Sequence, residues 1–309
     1  MSCYLITGIS GTLARLTAKR LLSEGHEVVG VDYRHKPGDF DLDIPYYRAN
    51  YNKTKIEDVF RHHPPDGVLH LGRVGNLKVQ INKRFDLNVI GSAKIRDLCL
   101  KYDVRRLVVL STFHIYGAHA ENHIPIFEDE PLRSGTTFPE LADAVQLDSQ
   151  AAQWVYQHPS LRCVVLRPCN VVGPNVQNAM SRYLRQPRLA YILGYSPMSQ
   201  FIHEDDMVDA LHLALFGDAV GVFNVAGAGE LPLVHALELT GAKLYPVPGP
   251  LAQLILAVQG RLGPAFPPYL LDFFKYPCII SDSAFRERFG YVPRVGLVET
   301  IRSTAERRG

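Results

Sequence analysis

Near the start of the chain, three small residues fall in the spacing Gly8-x-x-Gly11-x-x-Ala14, and an acid, Asp32, follows further on. The turn Gly8-Ile9-Ser10-Gly11-Thr12-Leu13-Ala14 comes directly after the apolar, β-rich run Cys3-Tyr4-Leu5-Ile6-Thr7. Residues Leu13 to Leu22 carry apolar side chains at helical spacing. Glu24-Gly25-His26 breaks that pattern, and Val28-Val29-Gly30-Val31-Asp32 reads as a second buried strand. Strand, glycine turn, helix and acid-tipped strand make up a dinucleotide-binding unit. Gly8 and Gly11 let the backbone turn tightly against a pyrophosphate, and Ala14 lets the helix pack close to the strand. The free N–H groups of the helix N-terminus face the phosphates. A carboxylate at Asp32 accepts hydrogen bonds from the adenosine ribose hydroxyls and repels a 2′-phosphate, which favours NAD over NADP. Arg34 either offsets that preference by pairing with a phosphate, or stacks over the adenine or stays in solvent.

The elements that position this turn alternate between strand and helix, which predicts a doubly wound parallel α/β sheet of Rossmann type. Further strands are expected at Pro45–Ala49, Gly67–Leu71, Arg106–Leu110 and Cys163–Leu166. Helices are expected at Thr54–His62, Gln80–Tyr102 and Leu141–Tyr156, the second burying Leu87, Ile90, Ile95, Leu98 and Cys99. From about Val171 the alternation loosens and Pro and Gly become frequent. This divides the chain into an NAD-binding domain over 1–170 and a smaller, mainly substrate-side C-terminal domain over 171–309, with some segments at about 200–226 returning to the Rossmann body.

Composition sets limits on the partners. The 309 residues are 47% hydrophobic and 21% charged, ordinary values for a packed protein. A net charge of +2 gives no reason to expect nucleic acid or an anionic membrane as partner. The Arg307-Arg308-Gly309 tail reads as solvated. Cys3, Cys99, Cys163, Cys169 and Cys278 form no C-x-x-C pair, which points to the reducing cytoplasm. A strand beginning at the third residue leaves no room for a signal peptide. The apolar stretch Leu251–Val258 is too short to span a bilayer.

The chain resembles the extended short-chain dehydrogenases/reductases, the nucleotide-sugar epimerases, dehydratases and their relatives. Thr7–Ala14 (TGISGTLA) resembles the family's TGxxGxxG/A turn, and Asp66–Gly72 (DGVLHLG) its DxVxHLA strand. Asn88–Ser92 (NVIGS) resembles NVxGT, Ser111–Gly117 (STFHIYG) resembles SSxxVYG, and Arg167–Pro174 (RPCNVVGP) resembles RxxNxxGP. Phe201–Asp206 (FIHEDD) resembles FIHVDD, and Phe223–Gly227 (FNVAG) the late strand that closes the substrate side. These motifs cover roughly the first three quarters of the chain. The resemblance implies NAD held by Gly8, Ser10, Gly11, Thr12, Leu13, Asp32, Arg34, Asn50, Tyr51, Leu71, Gly72, Asn88 and Pro168. It implies a small-molecule substrate, of nucleotide-sugar type, at Thr112, Asn170 and Arg182. It also implies a homodimer formed by the Gln80–Tyr102 and Leu141–Tyr156 helices, with Leu141, Val145, Ala152 and Val155 as the apolar seam.

Two departures from the family pattern bear on activity. The family's catalytic Tyr-x-x-x-Lys pair is absent: no lysine lies between Lys101 and Lys243, and no tyrosine between Tyr116 and Tyr156. Laying Glu140–Asp148 (ELADAVQLD) on the family's YxxxKxxxE puts Glu140 at the tyrosine position, Ala144 at the lysine position and Asp148 at the trailing acid. A slipped register would put Phe138 or Leu141 in place of Glu140. Glu140 is then either an atypical base, its pKa raised by burial, or a surface acid at a helix N-terminus. The second departure is Ser199, which stands where epimerases of the family carry an arginine for the nucleotide diphosphate. Arg182, Arg185 and Arg188 either replace it or form a solvated face. The apolar stretches Pro250–Val258 and Pro264–Phe274 read as small-domain core or as a lining for a hydrophobic substrate. His114, His119 and His123 match no familiar zinc spacing, and no metal is expected. Tyr116 and His203 read as structural. Two functions remain open: an NAD-dependent epimerase, dehydratase or oxidoreductase with unusual acid–base residues, and a non-catalytic dinucleotide sensor or partner subunit.

Overall fold

A computed structural model describes residues 2–75, 79–252, 254 and 269–306. Short runs of β-branched and aliphatic residues form seven parallel strands: β1 (Cys3–Thr7), β2 (Glu27–Asp32), β3 (Tyr46–Arg48), β4 (Gly67–His70), β5 (Arg106–Leu110), β6 (Arg162–Pro168) and, after the intervening strands named below, β10 (Gly221–Val225). Their order across the sheet is β10-β6-β5-β4-β1-β2-β3. Alternate residues face opposite sides, as the pleat demands. Ile6, Val108, Val164 and Leu166 pack into one apolar layer. Leu5, Leu107, Val109, Cys163 and Val165 pack into the other. Chain order runs one way from β1 through β2 to β3 and the other way from β4 through β5 to β6. A crevice therefore opens beyond the carboxyl ends of β1 and β4.

The remaining strands lie outside the large sheet. β7 (Asn170–Val172), β9 (Met198–His203) and β11 (Glu230–Pro232) form one small sheet, and β8 (Arg188–Ile192) pairs with β12 (Lys243–Val247). They enclose a separate core that includes Phe201, Leu231, Phe274 and Ile301. Between β9 and β10 the Glu204–Phe216 helix returns to the large sheet and packs on the Thr12–Ser23 helix. There Ala210 and Ala214 join the layer that holds Ala14 and Ala18. Among the described residues no helix is long and apolar enough to cross a membrane. Most of Pro250–Val258, the first half of Pro264–Phe274 and the Arg307–Gly309 tail lie outside the described residues.

One expected helix is built differently. The segment read as a single helix over Gln80–Tyr102 consists of Ile81–Phe85, a π-helical turn at Asp86–Ile90, and Gly91–Lys101. The wider turn inserts a residue and breaks the 3.6-residue phase. Leu87, Ile95, Leu98 and Cys99 are buried as expected, but Ile90 is 49% exposed. In exchange Asn88 and Gly91 turn inward. A Cβ on Gly91 would lie 2.9 Å from Tyr51 Cβ, so glycine lets this helix close on the strand region.

Candidate active site

Gly8 adopts φ +72, and a Cβ added to it would lie 2.5 Å from Gly72 Cα. A Cβ on Gly72 would lie 2.3 Å from the Tyr51 hydroxyl. Backbone thus meets backbone at the β1–β4 crevice, leaving no room for side chains. Tyr51 is buried beside this contact, and its hydroxyl faces the Gly8 amide without making a hydrogen bond of ordinary geometry. The Thr12–Ser23 helix opens with Gly11 at its N-cap, with no side-chain cap and no acid in its first turn. Its first N–H groups and the positive end of its dipole are available to an anion. The cradle therefore fits a dinucleotide pyrophosphate. Thr12 Oγ1 donates to the Asn175 carbonyl (3.1 Å), which ties the turn to the loop after β7.

At the tip of β2, Asp32 is fully buried. It accepts the Ser10 amide (3.1 Å) and the Arg34 amide (2.9 Å). Arg34 also folds its guanidinium back onto both carboxylate oxygens, each at 3.1 Å, and lies over the Tyr33 ring. In the structure, then, Arg34 pairs with Asp32 itself. The Tyr46 hydroxyl donates to the Arg34 carbonyl (3.1 Å), so Ser10 Oγ donates to Tyr46 (2.9 Å). Asn50 accepts the Asn52 amide (3.3 Å).

A buried relay supports the crevice from behind. Ser92 Oγ donates to the Asn88 carbonyl, so towards His70 Nε2 (2.7 Å) it must accept. His70 is therefore the neutral Nε2–H tautomer, and its Nδ1 accepts from Thr7 Oγ1 (2.7 Å). Thr7 Oγ1 in turn accepts the Gly72 amide (3.2 Å). Burial lowers the His70 pKa from 6.5 to about 4, consistent with that tautomer. Asn88, turned inward by the π-helical turn, accepts the Val74 amide (2.8 Å) and donates to the Val74 carbonyl (3.1 Å). Its amide also donates to Asp143 (2.5 Å). Leu71 follows β4 and Pro168 ends β6, and Cys169 N donates to the Val225 carbonyl (2.9 Å).

Beyond β5, Thr112 begins a short helical turn, and its hydroxyl lies 2.8 Å from His114 Nδ1. His114 Nε2 is buried without a hydrogen-bond partner among the described residues. Rings of Phe113, Phe273 and Tyr269 surround this imidazole at 4.3, 4.8 and 5.4 Å. Its pKa falls to about 3 through burial, with Arg73 nearby adding to the effect. Glu140 lies in a single 3₁₀ turn, Pro139–Leu141, ahead of the Ala142–Gln157 helix, and is only partly buried. Its carbonyl accepts Arg84 Nη2 (2.8 Å). Arg84 is buried, pairs with Asp143 at 3.2 Å, and leaves its Nε without a partner among the described residues. Ala144 is 2% exposed. Thr112 and Glu140 are thus linked through intervening groups: His114 touches Tyr269, and Tyr269 lies within electrostatic reach of Glu140.

Asp148 lies beneath this cluster. Arg167 donates to its two carboxylate oxygens at 2.6 and 3.0 Å, and Ser111 Oγ donates at 2.6 Å. Arg167 also donates to the Tyr116 hydroxyl (2.7 Å), which donates to Asn224 (2.8 Å). Burial raises the Tyr116 pKa, so this tyrosine packs and does not titrate. His203 caps the Glu204–Phe216 helix by accepting the Asp205 amide (3.2 Å). His119 stacks on Phe138 and His123 pairs with Glu130, so the three histidines point to different partners. Asn170 donates to the Gln200 carbonyl (3.2 Å) and lines a shallow open depression with Phe113, Met180, Ser199 and Phe273. Arg182 is exposed on the Ala179–Leu184 helix. Arg185 instead donates to the carbonyls of Gly173 (2.6 Å), Pro174 and Thr304, a structural role.

Sequence reading passed over His70, Arg73, Arg84 and Tyr269, and weighed His114 only as a metal ligand. For Arg84 a signal existed in its spacing of four residues before Asn88 on one helical face. For Tyr269 there was none, because its neighbours in space are remote in the chain.

Comparison with known proteins agrees with this architecture. A UDP-glucose 4-epimerase of Mycolicibacterium smegmatis is 25% identical over 328 residues, covering 98% of this chain and 97% of the relative. The chain spans 55% of the length of the uncharacterized Mycobacterium tuberculosis relatives it matches at 28% identity. Among solved structures, Thermus thermophilus UDP-glucose 4-epimerase in complex with NAD superposes with a TM-score of 0.78 at 22% identity, covering 99% of this chain and 98% of that one. The Thermotoga maritima UDP-glucose 4-epimerase with UDP-glucose gives 0.76 at 22% identity, over 99% and 98%. Residues 4–226, from β1 through the return of the chain into the large sheet at β10, match the family model described as "NAD dependent epimerase/dehydratase family", and the chain belongs to that family.

Proposed function

We propose that this chain binds NAD across the β1–β4 crevice and presents a nucleotide sugar to it, with acid–base chemistry that departs from the family's and is impaired on ordinary family substrates. The observation that carries this reading is Ala144, 2% exposed on the Ala142–Gln157 helix, at the position where the family's lysine stands. NAD supplies a hydride acceptor at the nicotinamide. The protein contributes the rest: Gly8, Gly11, Thr12 and Leu13 hold the pyrophosphate, and Asp32 with Arg34 governs the adenosine end. Thr112 faces the substrate oxygen, Asn170 and Arg182 stand on the substrate side, and Glu140 occupies the tyrosine position. Without a tyrosine and lysine to move the hydroxyl proton, a loss of about 10²–10⁴-fold in rate is expected. UDP-glucose and UDP-hexose relatives are the natural first probes, since related epimerases carry those names.

The same reading includes a homodimer and a cytoplasmic location. Leu141 is buried within its own chain, so it offers nothing to a partner. Ile81, Phe85, Ile90 and Tyr156 are exposed on the helices concerned and are a better seam. The cysteines are free, which suits a reducing compartment. Sedimentation giving only monomer at micromolar concentration counts against the dimer.

The deciding experiment measures NAD affinity by calorimetry and the redox state of bound NAD by absorbance, in wild type and in Glu140→Gln. If Glu140 is the base, Glu140→Gln abolishes turnover and leaves NAD affinity almost unchanged. Turnover of wild type near about 10 s⁻¹ on any UDP-hexose contradicts the impaired-catalysis reading. Tight NAD binding with no redox change on any sugar nucleotide favours a sensor or partner subunit.

A further inference from the structure

We propose that Arg73 is a specificity-determining residue that takes a carboxylate on the sugar ring, which makes the substrate a nucleotide sugar of uronic-acid type. This rests on the reading that the chain presents a nucleotide sugar to NAD. Arg73 follows Gly72, and the backbone on both sides of it is fixed. The Gly72 amide donates to Thr7 Oγ1 (3.2 Å), and the Arg73 amide to the Leu71 carbonyl (3.0 Å). The Val74 amide and carbonyl are both held by the side chain of Asn88, at 2.8 and 3.1 Å. Gly72 and Val74 are buried, and Arg73 between them is half-buried. Its Nη2 lies 3.8 Å from the point where a Cβ on Gly75 would stand, and Gly75 is exposed, so the guanidinium sits at the mouth of the crevice.

Among the described residues the Arg73 guanidinium enters no ion pair and no hydrogen bond. The neighbouring cation is already committed, since Arg84 pairs with Asp143 and donates to the Glu140 carbonyl. The acids of the region therefore leave Arg73 without a counter-ion: Asp143 is taken by Arg84, and Glu140 forms no ion pair with Arg73. A half-buried guanidinium with five N–H donors and no anion in contact is suited to receive one. Its planar fork meets a carboxylate through two parallel N–H···O bonds. Position then selects the anion. The cofactor pyrophosphate belongs over Gly8 and the first turn of the Thr12–Ser23 helix, where backbone N–H groups are available. The substrate diphosphate belongs, by the family pattern, at Ser199, on the depression that Phe113 and Phe273 also line. Arg73 lies within electrostatic reach of His114 and Tyr269, and His114 Nδ1 is 2.8 Å from the Thr112 hydroxyl. An anion on Arg73 thus stands beside the reacting hydroxyl, and a carboxylate on the sugar ring meets that requirement.

The test uses the full chain saturated with NAD⁺, into which UDP-glucuronate and UDP-glucose are titrated by calorimetry. The two probes differ only in the carboxylate. Wild type is expected to bind UDP-glucuronate about 10–100-fold more tightly, the worth of hydrogen bonds between charged groups. Arg73→Met keeps the apolar stem and removes the fork. It is expected to erase that preference by weakening UDP-glucuronate alone, with NAD⁺ affinity, UDP-glucose affinity and the thermal midpoint unchanged. Arg73→Lys is expected to keep part of the preference, because the charge remains and the bidentate geometry is lost. Equal affinities in wild type overturn the proposal and leave the nucleotide-sugar reading standing. A preference that survives in Arg73→Met overturns the assignment of Arg73. A fall in NAD⁺ affinity in Arg73→Met places the anion on the cofactor and overturns it as well. If neither sugar nucleotide binds while NAD⁺ does, the nucleotide-sugar reading falls and this proposal falls with it.

Discussion

The two sides of the β1–β4 crevice are built from different materials. On the cofactor side the surface is backbone: Gly8 against Gly72, the open first turn of the Thr12–Ser23 helix, and the Ser10 and Arg34 amides that fix Asp32. On the side proposed to receive the substrate it is side chains converging from separate segments: Thr112 and His114, Arg84, Glu140 and Tyr269. A backbone surface tolerates almost no change of residue, because every non-glycine adds an atom where another backbone already lies. A side-chain surface can change any one member and keep its shape. That difference explains how this chain keeps the family's cofactor turn while its Tyr-x-x-x-Lys pair is gone.

Four experiments sharpen or break this contrast. The largest effect is expected beneath the substrate side, at Asp148→Ala. It leaves Arg167, itself buried, without its carboxylate, and such uncompensated charges cost about 3–5 kcal/mol. Urea unfolding of wild type and variant measures it, and a loss below about 1 kcal/mol would mean that water or Glu128 replaces the pair.

Acid sensitivity comes next. The folded pKa of His70 lies at about 4, below its ordinary 6.5. The unfolded chain therefore takes up this proton first as pH falls. Stability attributable to His70 is fully present above about pH 6.5 and declines as pH drops towards 4, by about 3 kcal/mol in all. His70→Gln should flatten unfolding free energy across that window, and an unchanged slope assigns the acid loss to other groups.

The third experiment is Gly8→Ala. A residue with a Cβ held at φ +72 costs roughly 1–3 kcal/mol, and here its Cβ also meets Gly72. Calorimetry should show NAD binding lost, and thermal unfolding a lowered midpoint. Binding at wild-type affinity would show that the crevice can open without cost.

The smallest effect is expected at Asp32→Ala. Wild type should bind NAD(H) more tightly than NADP(H), and the variant should narrow that gap by about tenfold, the worth of one hydrogen bond to a charged group. If wild type binds NADPH as well as NADH, Arg34 dominates the site and its pairing with Asp32 opens when a phosphate arrives.

Much of the fold was legible because burial on both faces of a parallel sheet leaves its mark on most strands as a short apolar run, and most turns between strand and helix carry Gly or Pro. The phase of the Asp86–Ile90 segment was not legible. Nothing in Asp-Leu-Asn-Val-Ile announces a π-helical turn, and its cause lies in Asn88 reaching Val74 and Asp143. Asp148 illustrates an intermediate case. Its place as a trailing acid could be read by resemblance, but its pairing with Arg167 and Ser111 required the Ala142–Gln157 helix to lie across β5 and β6.

What the sequence by itself determined is local: the Gly8–Ala14 turn, the acid at the end of β2, the alternation that builds the sheet, and the absence of any tyrosine or lysine between Tyr116 and Tyr156. These follow from conformational rules that act over a few residues, where spacing and residue type are enough. Only the tertiary structure decided which groups face one another on the substrate side. His114 meets Tyr269 because the chain leaves the large sheet after β10 and folds back over it, and Arg84 meets Glu140 because two helices pack side by side. Those approaches are governed by the burial of apolar layers distributed along the whole chain, and no short stretch of residues contains them.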